Sequence, residues 1–410
     1  MTELVSPAGD WPSLRAAIDS GCDSIYFGLK ILNMRAGAKN FDIGELNKIV
    51  KVCHENNIKC YLTLNTIVYE NELNKIKDVL KKVKQAGVDA VIAWDMSLIS
   101  EANKLKIPVH LSTQASVSNF KALKFYSKYV SRIVLARELG LKQIKEIKNK
   151  IKKNKLKVEI ETFVHGAMCV SVSGRCFTSQ FLFKKSANRG ECLQPCRREY
   201  RVTDLETGQE LKLNNNHVIS PKDLCTIKFL DKLIDAGIDV FKIEGRNRSP
   251  EYVKVVTKCY RRAINAIKKN KFNNKFKEKL IKELLTVYNR KFSSGFYLGL
   301  PTNDDWTDLY GSGATETKTY IGKVRNYYQK IGVAEIILEA GKLKLDDEVF
   351  IIGSKTGVLR QKIKSMQINH KNVNKVKKGA RLAVKTDKKV RKNDKVFIIN
   401  KNQKQKYQAN

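Results

Sequence analysis

The chain has no long apolar segment. None of its apolar runs approaches the roughly 18–20 consecutive residues that are needed to span a bilayer. Its first residues, MTELVSPAG, also lack a basic stretch followed by an apolar one, which is the pattern of a secretory signal. We therefore expect a cytoplasmic protein that has no membrane segment.

Acidic residues are scarce as well, because 41 Asp and Glu face 78 Lys and Arg, and the formal net charge is +37. A positive field of this size attracts polyanions, of which nucleic acid is the usual one. The lysines are spread along nearly every predicted helix, however, as a lysine-biased genome would also produce. Contact with RNA or DNA and a generic solvated surface both stay open, whereas the dispersal argues against a basic amphipathic membrane helix.

Three familiar motifs are missing from the chain. It contains neither a G-x-S-x-G elbow nor an H-E-x-x-H zinc helix, which are common signatures of serine hydrolases and zinc peptidases. No glycine-rich phosphate fingerprint follows the first predicted strand, which argues against a doubly wound dinucleotide-binding sheet.

The first two-thirds of the chain repeats one unit, a strand-like apolar run followed by helical periodicity. Eight units in series predict an α/β fold, a closed (β/α)8 barrel of the TIM type over residues 1–290. An open doubly wound sheet is the alternative. The predicted strands are Glu3–Ser6, Ser24–Gly28, Cys60–Asn65, Ala90–Trp94, Val109–Ser112, Arg132–Ala136, Glu159–Val164 and Val240–Glu244.

The repeat is interrupted once and then ends. A cysteine-rich insertion over residues 165–220 follows the seventh strand, and loops of this length are usually functional. A connector over 291–316 leads to short alternating strands, which predict a small antiparallel β-barrel domain over 317–400 and a frayed tail over 401–410. The strands predicted there are Thr319–Val324, Val333–Leu338, Asp347–Ile352, Arg360–Ile368, Ala380–Val384 and Lys395–Ile399.

Five of the nine cysteines, Cys169, Cys176, Cys192, Cys196 and Cys225, lie within one short region. In a reducing compartment we do not expect structural disulfides. Thiolates bind iron–sulfur clusters, but four of them also bind zinc. The spacings match neither a paired C-x-x-C zinc ribbon nor a ferredoxin motif, so spacing alone leaves both open. The other four fall within apolar patterns and are predicted to be small core residues: Cys22, Cys53, Cys60 and Cys259.

The stretch Glu161–Cys176, with its HGAMC and SGRC elements, resembles the signature of the collagenase-like peptidases, family thirty-two of the unknown-mechanism (U-type) peptidases. The resemblance continues in ELVSPAG at Glu3–Gly9, in VHLSTQ at Val109–Gln114, in SPKDL from Ser220 and in KIEGR at Lys242–Arg246. It therefore covers the whole predicted barrel.

Despite its name, this family includes oxygen-independent hydroxylation proteins that carry a [4Fe-4S] cluster. One branch hydroxylates a wobble uridine of tRNA to 5-hydroxyuridine with prephenate, another acts on a cytidine of ribosomal RNA, and a third works in anaerobic ubiquinone synthesis. The length, the C-terminal β domain and the basic charge are most similar to the tRNA branch. The resemblance thus implies tRNA as partner, prephenate as co-substrate and, as in the quinone branch, a possible paralogous partner protein.

The resemblance also implies ligands for the cluster. Cys169, Cys176 and Cys192 match the family's cluster ligands, and the fourth is either Cys196 or Cys225. We favour Cys225, because a ligand near the eighth unit would tie the insertion to the barrel. A cysteine that holds a cluster cannot also be a nucleophile, which argues against the peptidase activity in the family name. A non-catalytic RNA-binding protein is the other rival.

Active sites of such barrels lie at the C-terminal ends of the strands, where this chain has many polar residues. Guanidinium groups suit a dicarboxylate such as prephenate, and Glu161 and His165 lie close to Cys169 in the sequence. His110 has an alternative interpretation as a barrel-core histidine. The predicted catalytic residues are His110, Glu161, His165 and Glu244; the predicted substrate-binding residues are Arg35, Asn65, Gln114, Arg137 and Arg246; and Arg197, Arg198 and Arg201 are predicted phosphate contacts or charge partners of the cluster.

Overall fold

The computed structural model describes residues 2–172, 175–200, 203–208, 219–309 and 311–402. Its first sheet has ten strands. In chain order they are β1 Glu3–Ala8, β2 Ser24–Gly28, β3 Lys59–Thr63, β4 Ala90–Ala93, β5 Val109–Leu111, β6 Arg132–Val134, β7 Glu159–Gly166, β8 Asp223–Cys225, β9 Val240–Ile243 and β10 Phe292–Ser293.

Eight of these strands form a closed parallel barrel. Strands β1 to β7 pair in sequence order, and β9 closes the ring because it pairs in parallel with both β1 and β7. Val240, for example, lies opposite Glu3 on one side and Glu161 on the other. The predicted (β/α)8 barrel is confirmed. The two extra strands, β8 and β10, lie beside the end of β7, where β8 runs antiparallel to it.

Ten described α-helices accompany the strands, and their apolar stripes explain their position. In the third helix, Ile76, Val79, Leu80 and Val83 recur at helical spacing and are all buried, while the lysines between them face solvent. None of the described helices is both long enough and apolar enough to cross a membrane. The helices are α1 Trp11–Asp19, α2 Leu46–His54, α3 Leu73–Ala86, α4 Met96–Lys104, α5 Phe120–Tyr126, α6 Leu141–Lys153, α7 Thr178–Phe183, α8 Leu230–Asp235, α9 Pro250–Lys268 and α10 Asn274–Leu284.

The C-terminal part consists of antiparallel sheets around a separate core, as predicted. One sheet has eight strands in the order β15-β14-β20-β11-β12-β19-β16-β17, and the other pairs β13 with β18. Residues 403–410, most of the predicted tail, lie outside the described residues. The strands are β11 Glu316–Tyr328, β12 Val333–Leu338, β13 Lys342–Lys344, β14 Glu348–Gly353, β15 Gly357–Lys362, β16 Gln367–Ile368, β17 Lys371–Asn372, β18 Lys375–Lys377, β19 Arg381–Lys385 and β20 Lys395–Lys401.

Two groups of side chains fill the inside of the barrel, one apolar and one charged. A small apolar cluster is contributed by inward-facing residues of several strands, among them Tyr26 and Tyr61. Charged side chains fill the rest, because Glu161 of β7 meets Lys242 of β9 and Arg132 of β6. The barrel is therefore a packed core whose remaining open space lies at the C-terminal ends of its strands.

Candidate functional site

A cavity of about 210 Å³ lies at the C-terminal mouth of the barrel. Seven of the eight barrel strands contribute to its wall, either from the strand itself or from the loop that follows, and the insertion and Arg290 supply the rest. Six of the nine polar residues predicted to be catalytic or substrate-binding line it: Arg35, Asn65, Gln114, Arg137, Glu244 and Arg246.

Glu161 lies deeper in the barrel and does not line the cavity. Its carboxylate accepts a hydrogen bond from Lys242 Nζ at 2.6 Å and pairs with Arg132 Nη1 at 3.4 Å. Along β7 the inward positions alternate, so Phe163 reaches the cavity whereas Glu161 lies one layer below it. The predicted place of Glu161 beside Cys169 is thus not the observed one, and its role here is to neutralise buried cations.

His165 also lies outside the cavity. The pairing of β7 with β9 shifts register between Phe163 and His165, and such a shift re-aims the side chain that follows. The imidazole packs among the rings of Tyr252, Tyr260 and Phe292, and its Nδ1 lies 3.3 Å from the Tyr260 hydroxyl. Burial lowers the pKa of His165 to about 3. The side chain is a neutral part of the core and not the predicted catalytic group.

His110 is a core residue too, which was the alternative interpretation from the sequence. Its ring packs edge-on against Tyr61 with 4.6 Å between centroids, and it does not line the cavity. Burial, together with the charges of Arg132 and Lys242, lowers the pKa of His110 well below its usual value. Its Nδ1 has no hydrogen-bond partner among the described residues.

The cavity wall carries far more positive than negative charge. Among the described residues one carboxylate lines it, that of Glu244, against seven cationic side chains: Arg35, Arg137, Arg197, Lys242, Arg246, Arg248 and Arg290. Sequence reasoning missed Lys242, Arg248 and Arg290 as cavity residues. A signal for Lys242 existed, because Lys242 and Glu244 alternate on one side of the eighth barrel strand. The excess charge suits a small anionic ligand.

Arg137 has unused hydrogen-bonding capacity. Its Nη1 donates to the carbonyl of Ala167 at 2.9 Å, and its guanidinium lies over the ring of Phe163 at 4.0 Å. Nε and Nη2 are buried and have no hydrogen-bond partner among the described residues. Burial also lowers the pKa of Arg137. Buried donors are normally satisfied, so this pair of N–H groups fits a ligand with two acceptor oxygens.

Two further arginines are held in place by neighbours. Arg246 donates from Nη1 to Thr63 Oγ1 at 2.6 Å and to Asn33 Oδ1 at 3.1 Å. Burial lowers the pKa of Arg246 to about 10, so the group stays charged at neutral pH. Arg35 donates from Nη2 to Glu244 Oε1 at 3.2 Å.

Glu244 is ionised at neutral pH. Burial acts to raise its pKa, but the guanidinium groups of Arg35, Arg248 and Arg137 outweigh it, and the pKa of Glu244 is lower than usual. It therefore compensates part of the surrounding positive charge and fixes the position of Arg35.

The cysteine-bearing insertion is attached to the mouth at several points. Arg175 donates to the carbonyl of Gln114, and Arg189 Nη2 donates to Glu72 Oε1 at 2.6 Å. Arg197 Nη1 donates to Ser220 Oγ at 2.9 Å. Gly190 packs so closely that a Cβ there would collide with the backbone of the loop after β2. Of the other predicted phosphate contacts, Arg198 is exposed and Arg201 lies outside the described residues.

Three cysteines of the insertion, Cys169, Cys192 and Cys196, line the cavity, and Cys176 lies close by. Burial raises the pKa of Cys196, the Arg197 guanidinium opposes this, and the thiols of Cys169, Cys192 and Cys176 raise it further. Mutual electrostatic influence of this kind requires the four groups to be near one another. The structure therefore places three soft donors at one wall of the cavity and a fourth, Cys176, close to them.

Cys225, the residue that the sequence favoured as fourth ligand, is not with them. It lies on β8, opposite His165 in the pairing with β7, and its thiol is 3.9 Å from the Tyr260 hydroxyl. Burial raises the pKa of Cys225 to about 11. Cys225 ends β8 and packs in the hydrophobic core beside Tyr260, whereas Cys196 lines the cavity with Cys169 and Cys192.

The spacing of the four insertion sulfurs bears on which metal they suit. Among the described residues, no three of these sulfurs lie within 4.8 Å of one another. A zinc ion with Zn–S distances of about 2.3 Å would hold its tetrahedral sulfurs only about 3.8 Å apart. The four sulfurs therefore do not form a preassembled zinc site.

Another group of possible metal ligands lies at the opposite end of the barrel. The ligand atoms of His54, Cys60 and Asp89 lie within 4.8 Å of one another. The Asp89 carboxylate already accepts the Cys60 amide at 2.8 Å and lies 3.0 Å from His54 Nε2. This carboxylate caps a loop in front of a strand, so the three side chains are accounted for without a metal.

Known proteins resemble this chain over most of its length. Residues 9–307 match the sequence profile described as Peptidase family U32. A collagenase of Porphyromonas gingivalis is 43% identical over 406 residues, which cover 97% of this chain and 98% of that protein. A tRNA hydroxylation protein of Bacillus subtilis is 33% identical over 359 residues, covering 86% of this chain and 83% of that protein.

A further relative acts on ribosomal RNA according to its name, a 23S rRNA 5-hydroxycytidine synthase of Escherichia coli. It is 38% identical over 266 residues, which cover 65% of this chain and 39% of that longer protein. The match of the profile begins directly after the first barrel strand and extends beyond the last. The resemblance predicted from the HGAMC and SGRC elements is confirmed, and the chain belongs to peptidase family U32.

Proposed function

We propose that this chain is an RNA-modifying enzyme that hydroxylates a wobble uridine of tRNA to 5-hydroxyuridine without molecular oxygen. One observation carries the proposal: the cavity at the barrel mouth joins a wall of cysteine thiols to a wall of cationic side chains, including the unsatisfied N–H groups of Arg137. Relatives named for hydroxylation of tRNA and ribosomal RNA support it.

A [4Fe-4S] cluster is the proposed cofactor, and Cys169, Cys176, Cys192 and Cys196 are its proposed ligands. Their donor set fits, because three thiols line one cavity wall, a fourth lies close to them, and thiolates are the usual ligands of iron–sulfur clusters. When bound, the cluster would supply electron-transfer or Lewis-acid chemistry at this wall. Arg197, which lies beside Cys196 and lines the same cavity, offsets the negative charge that four thiolates bring.

The proposed co-substrate is prephenate, a dicarboxylate. Arg137 binds one carboxylate through Nε and Nη2, the two groups that lack partners. Arg246, which Thr63 and Asn33 hold in a fixed position, contributes buried positive charge for the other. Glu244 keeps Arg35 directed into the cavity by their hydrogen bond at 3.2 Å. These residues bind and orient the anion and keep the positive charge fixed around it.

Peptidase activity has less support from the same geometry. A cysteine nucleophile needs a base within hydrogen-bond reach, and no histidine is among the described residues that line the cavity. His165, the histidine nearest to Cys169 in sequence, packs among aromatic rings, and burial holds its pKa at about 3. Hydroxylation of ribosomal RNA is the second candidate, favoured by the relative named for it.

Mass spectrometry of nucleosides tests the proposal. Total tRNA and ribosomal RNA from a strain with this gene are compared with RNA from a strain in which it is deleted. We expect 5-hydroxyuridine and its derivatives to disappear from the tRNA while the rRNA nucleosides stay unchanged. Loss of a hydroxylated cytidine from rRNA would favour the second candidate, and an unchanged profile of both RNAs would contradict an RNA substrate.

A further inference from the structure

Short helix α7 and the residue before it expose a group of apolar side chains next to the cavity cysteines. Phe177 is 62% exposed, Phe181 81% and Leu182 54%. Phe177 and Phe181 are one helical turn apart, and their ring centroids lie 6.2 Å apart at an interplanar angle of 47°. We call Phe177 and Phe181 the aromatic pair. Contiguous apolar exposure of this kind marks an interaction site.

The aromatic pair is held in a fixed relation to the cavity. Ser179, between the two rings in sequence, is fully buried, and its Oγ accepts the amide of Leu193 at 3.1 Å. Phe177 directly follows Cys176, whose thiol donates to Thr178 Oγ1 at 3.2 Å. The buried side of the helix thus faces the loop of Cys192, and the two aromatic rings face solvent next to Cys176, which lies close to the cavity cysteines.

The surroundings of the aromatic pair are basic. Exposed Lys184 and Lys185 directly follow the helix, and exposed Arg198 lies over the ring of Phe183 at 4.4 Å. Glu191 contributes one nearby carboxylate, and it is 3.8 Å from Lys185. Aromatic rings between cationic side chains are the surface on which proteins hold single-stranded nucleic acid, because bases stack on the rings and phosphates meet the cations.

We propose that Phe177 and Phe181 form a stacking platform for an unpaired base that neighbours the modified base, with Lys184 and Arg198 contacting the adjoining phosphates. This inference rests on the proposed function and deepens it, since it assigns where the unpaired loop of the RNA lies. A base on this platform places the next nucleotide at the mouth of the cavity, which is how a loop base reaches a buried site.

The test measures RNA binding by the full-length protein with an anticodon-type stem–loop that carries a fluorescent label. The double variant Phe177→Leu and Phe181→Leu keeps the apolar character but removes the aromatic rings. We expect its dissociation constant to rise about 10-fold, which corresponds to about 1.4 kcal/mol of base stacking lost with the rings. The double variant Phe177→Tyr and Phe181→Tyr, which keeps the rings, should bind like the wild type.

A matched control is available elsewhere on the barrel. Phe125 and Tyr129 on and after α5 are also exposed, with ring centroids 5.8 Å apart. Replacing both by Leu should leave binding of the stem–loop unchanged. This control shows whether weaker binding comes from the loss of Phe177 and Phe181 in particular or from the loss of any exposed aromatic pair. A fully paired RNA duplex of the same length should bind the wild type and the Phe177→Leu and Phe181→Leu variant equally.

The outcomes separate the two proposals. If the wild type binds neither the stem–loop nor tRNA, the proposed function fails before the platform is tested. If the wild type binds the stem–loop and the Leu variant binds it equally well, the platform is overturned while the RNA function stands. Unchanged RNA binding together with loss of a protein partner would identify the aromatic pair as a protein docking surface, and this also overturns the platform.

Discussion

The barrel buries charged side chains at two levels, and the levels differ in how well the charges are matched. At the lower level Arg132 contacts three carboxylates, those of Glu3 at 2.6 Å, Glu159 at 2.7 Å and Glu161 at 3.4 Å, and Lys242 contacts Glu161 at 2.6 Å. At the upper level six further cationic side chains line the cavity, and Glu244 is the one carboxylate among the described residues of its wall.

The lower level is complete within the chain, whereas the upper level leaves positive charge and two N–H groups of Arg137 unmatched. Charges that lack a protein partner are costly to bury unless something else compensates them. The difference is what we expect if the lower level serves stability and the upper level binds the proposed anionic ligand.

The largest effect is expected for the cysteines of the upper level. Cys169→Ala or Cys196→Ala in the anaerobically purified protein should abolish the cluster, measured as iron and sulfide content, and with it the hydroxylation of tRNA. Each variant removes one of the three thiols that line the cavity. Cys225→Ala is the matched control and should retain both, because Cys225 packs in the core. Full iron content in Cys196→Ala and loss in Cys225→Ala would reverse the assignment of the fourth ligand.

The next effect concerns stability at the lower level. Glu161→Gln leaves Lys242 and Arg132 with less compensating charge in a fully buried place. We expect a loss of about 3–5 kcal/mol in the free energy of unfolding, measured with denaturant. Arg137→Met, which removes a cation from the upper level, should leave this free energy unchanged or raise it. If Glu161→Gln and Arg137→Met lowered the free energy of unfolding equally, the lower level would not differ from the upper level in its contribution to stability.

Arg137 should matter for the ligand instead. Arg137→Met removes the two unpartnered N–H groups, so we expect the apparent KM for prephenate to rise about 10- to 100-fold, as for the loss of hydrogen bonds to a charged group. Arg137→Lys should keep the positive charge but lose the bidentate geometry of the guanidinium, so we expect it to recover only part of the affinity for prephenate. A KM that stays at the wild-type value in Arg137→Met would show that the unmatched charge does not bind this substrate.

The smallest effect on activity is expected for His165. His165→Phe should stay within about twofold of wild-type turnover, because the imidazole lies outside the cavity. A loss of 100-fold would return His165 to the catalytic role predicted from the sequence.

The same variant tests the pH dependence of stability. The pKa of His165 is about 3 in the folded chain, below the value of 6.5 expected when unfolded. Between these values the unfolded state binds more protons, so stability falls as the pH falls. Through this group the free energy of unfolding of the wild type should fall by about 2 kcal/mol between pH 7 and pH 5. In His165→Phe the free energy of unfolding should fall by about 2 kcal/mol less over the same range.

Sequence reasoning predicted the barrel and most of the cavity because both follow from the regular period of the strands. Arg246 and Glu244 were placed at the mouth because residues after parallel strands meet at one end. Glu161 was predicted at the mouth but lies one layer below it. The alternation of side chains along a strand predicts which residues point into the barrel, but it does not predict how far from the mouth they lie. His165 was misplaced by a local register shift, and Cys225 by a short antiparallel strand that follows the insertion. Neither feature has a sequence signal at this length.

The most direct test of the central claim is an anaerobic reconstitution with tRNA isolated from the deletion strain. The purified protein, with its cluster verified by iron content, is incubated with this tRNA in the presence or absence of prephenate, and the nucleosides are measured by mass spectrometry. We predict that 5-hydroxyuridine forms only with prephenate, and not with the Cys169→Ala variant. Formation that is equal in Cys169→Ala, or no formation with the wild type when the parent strain's tRNA carries the modification, would contradict the account.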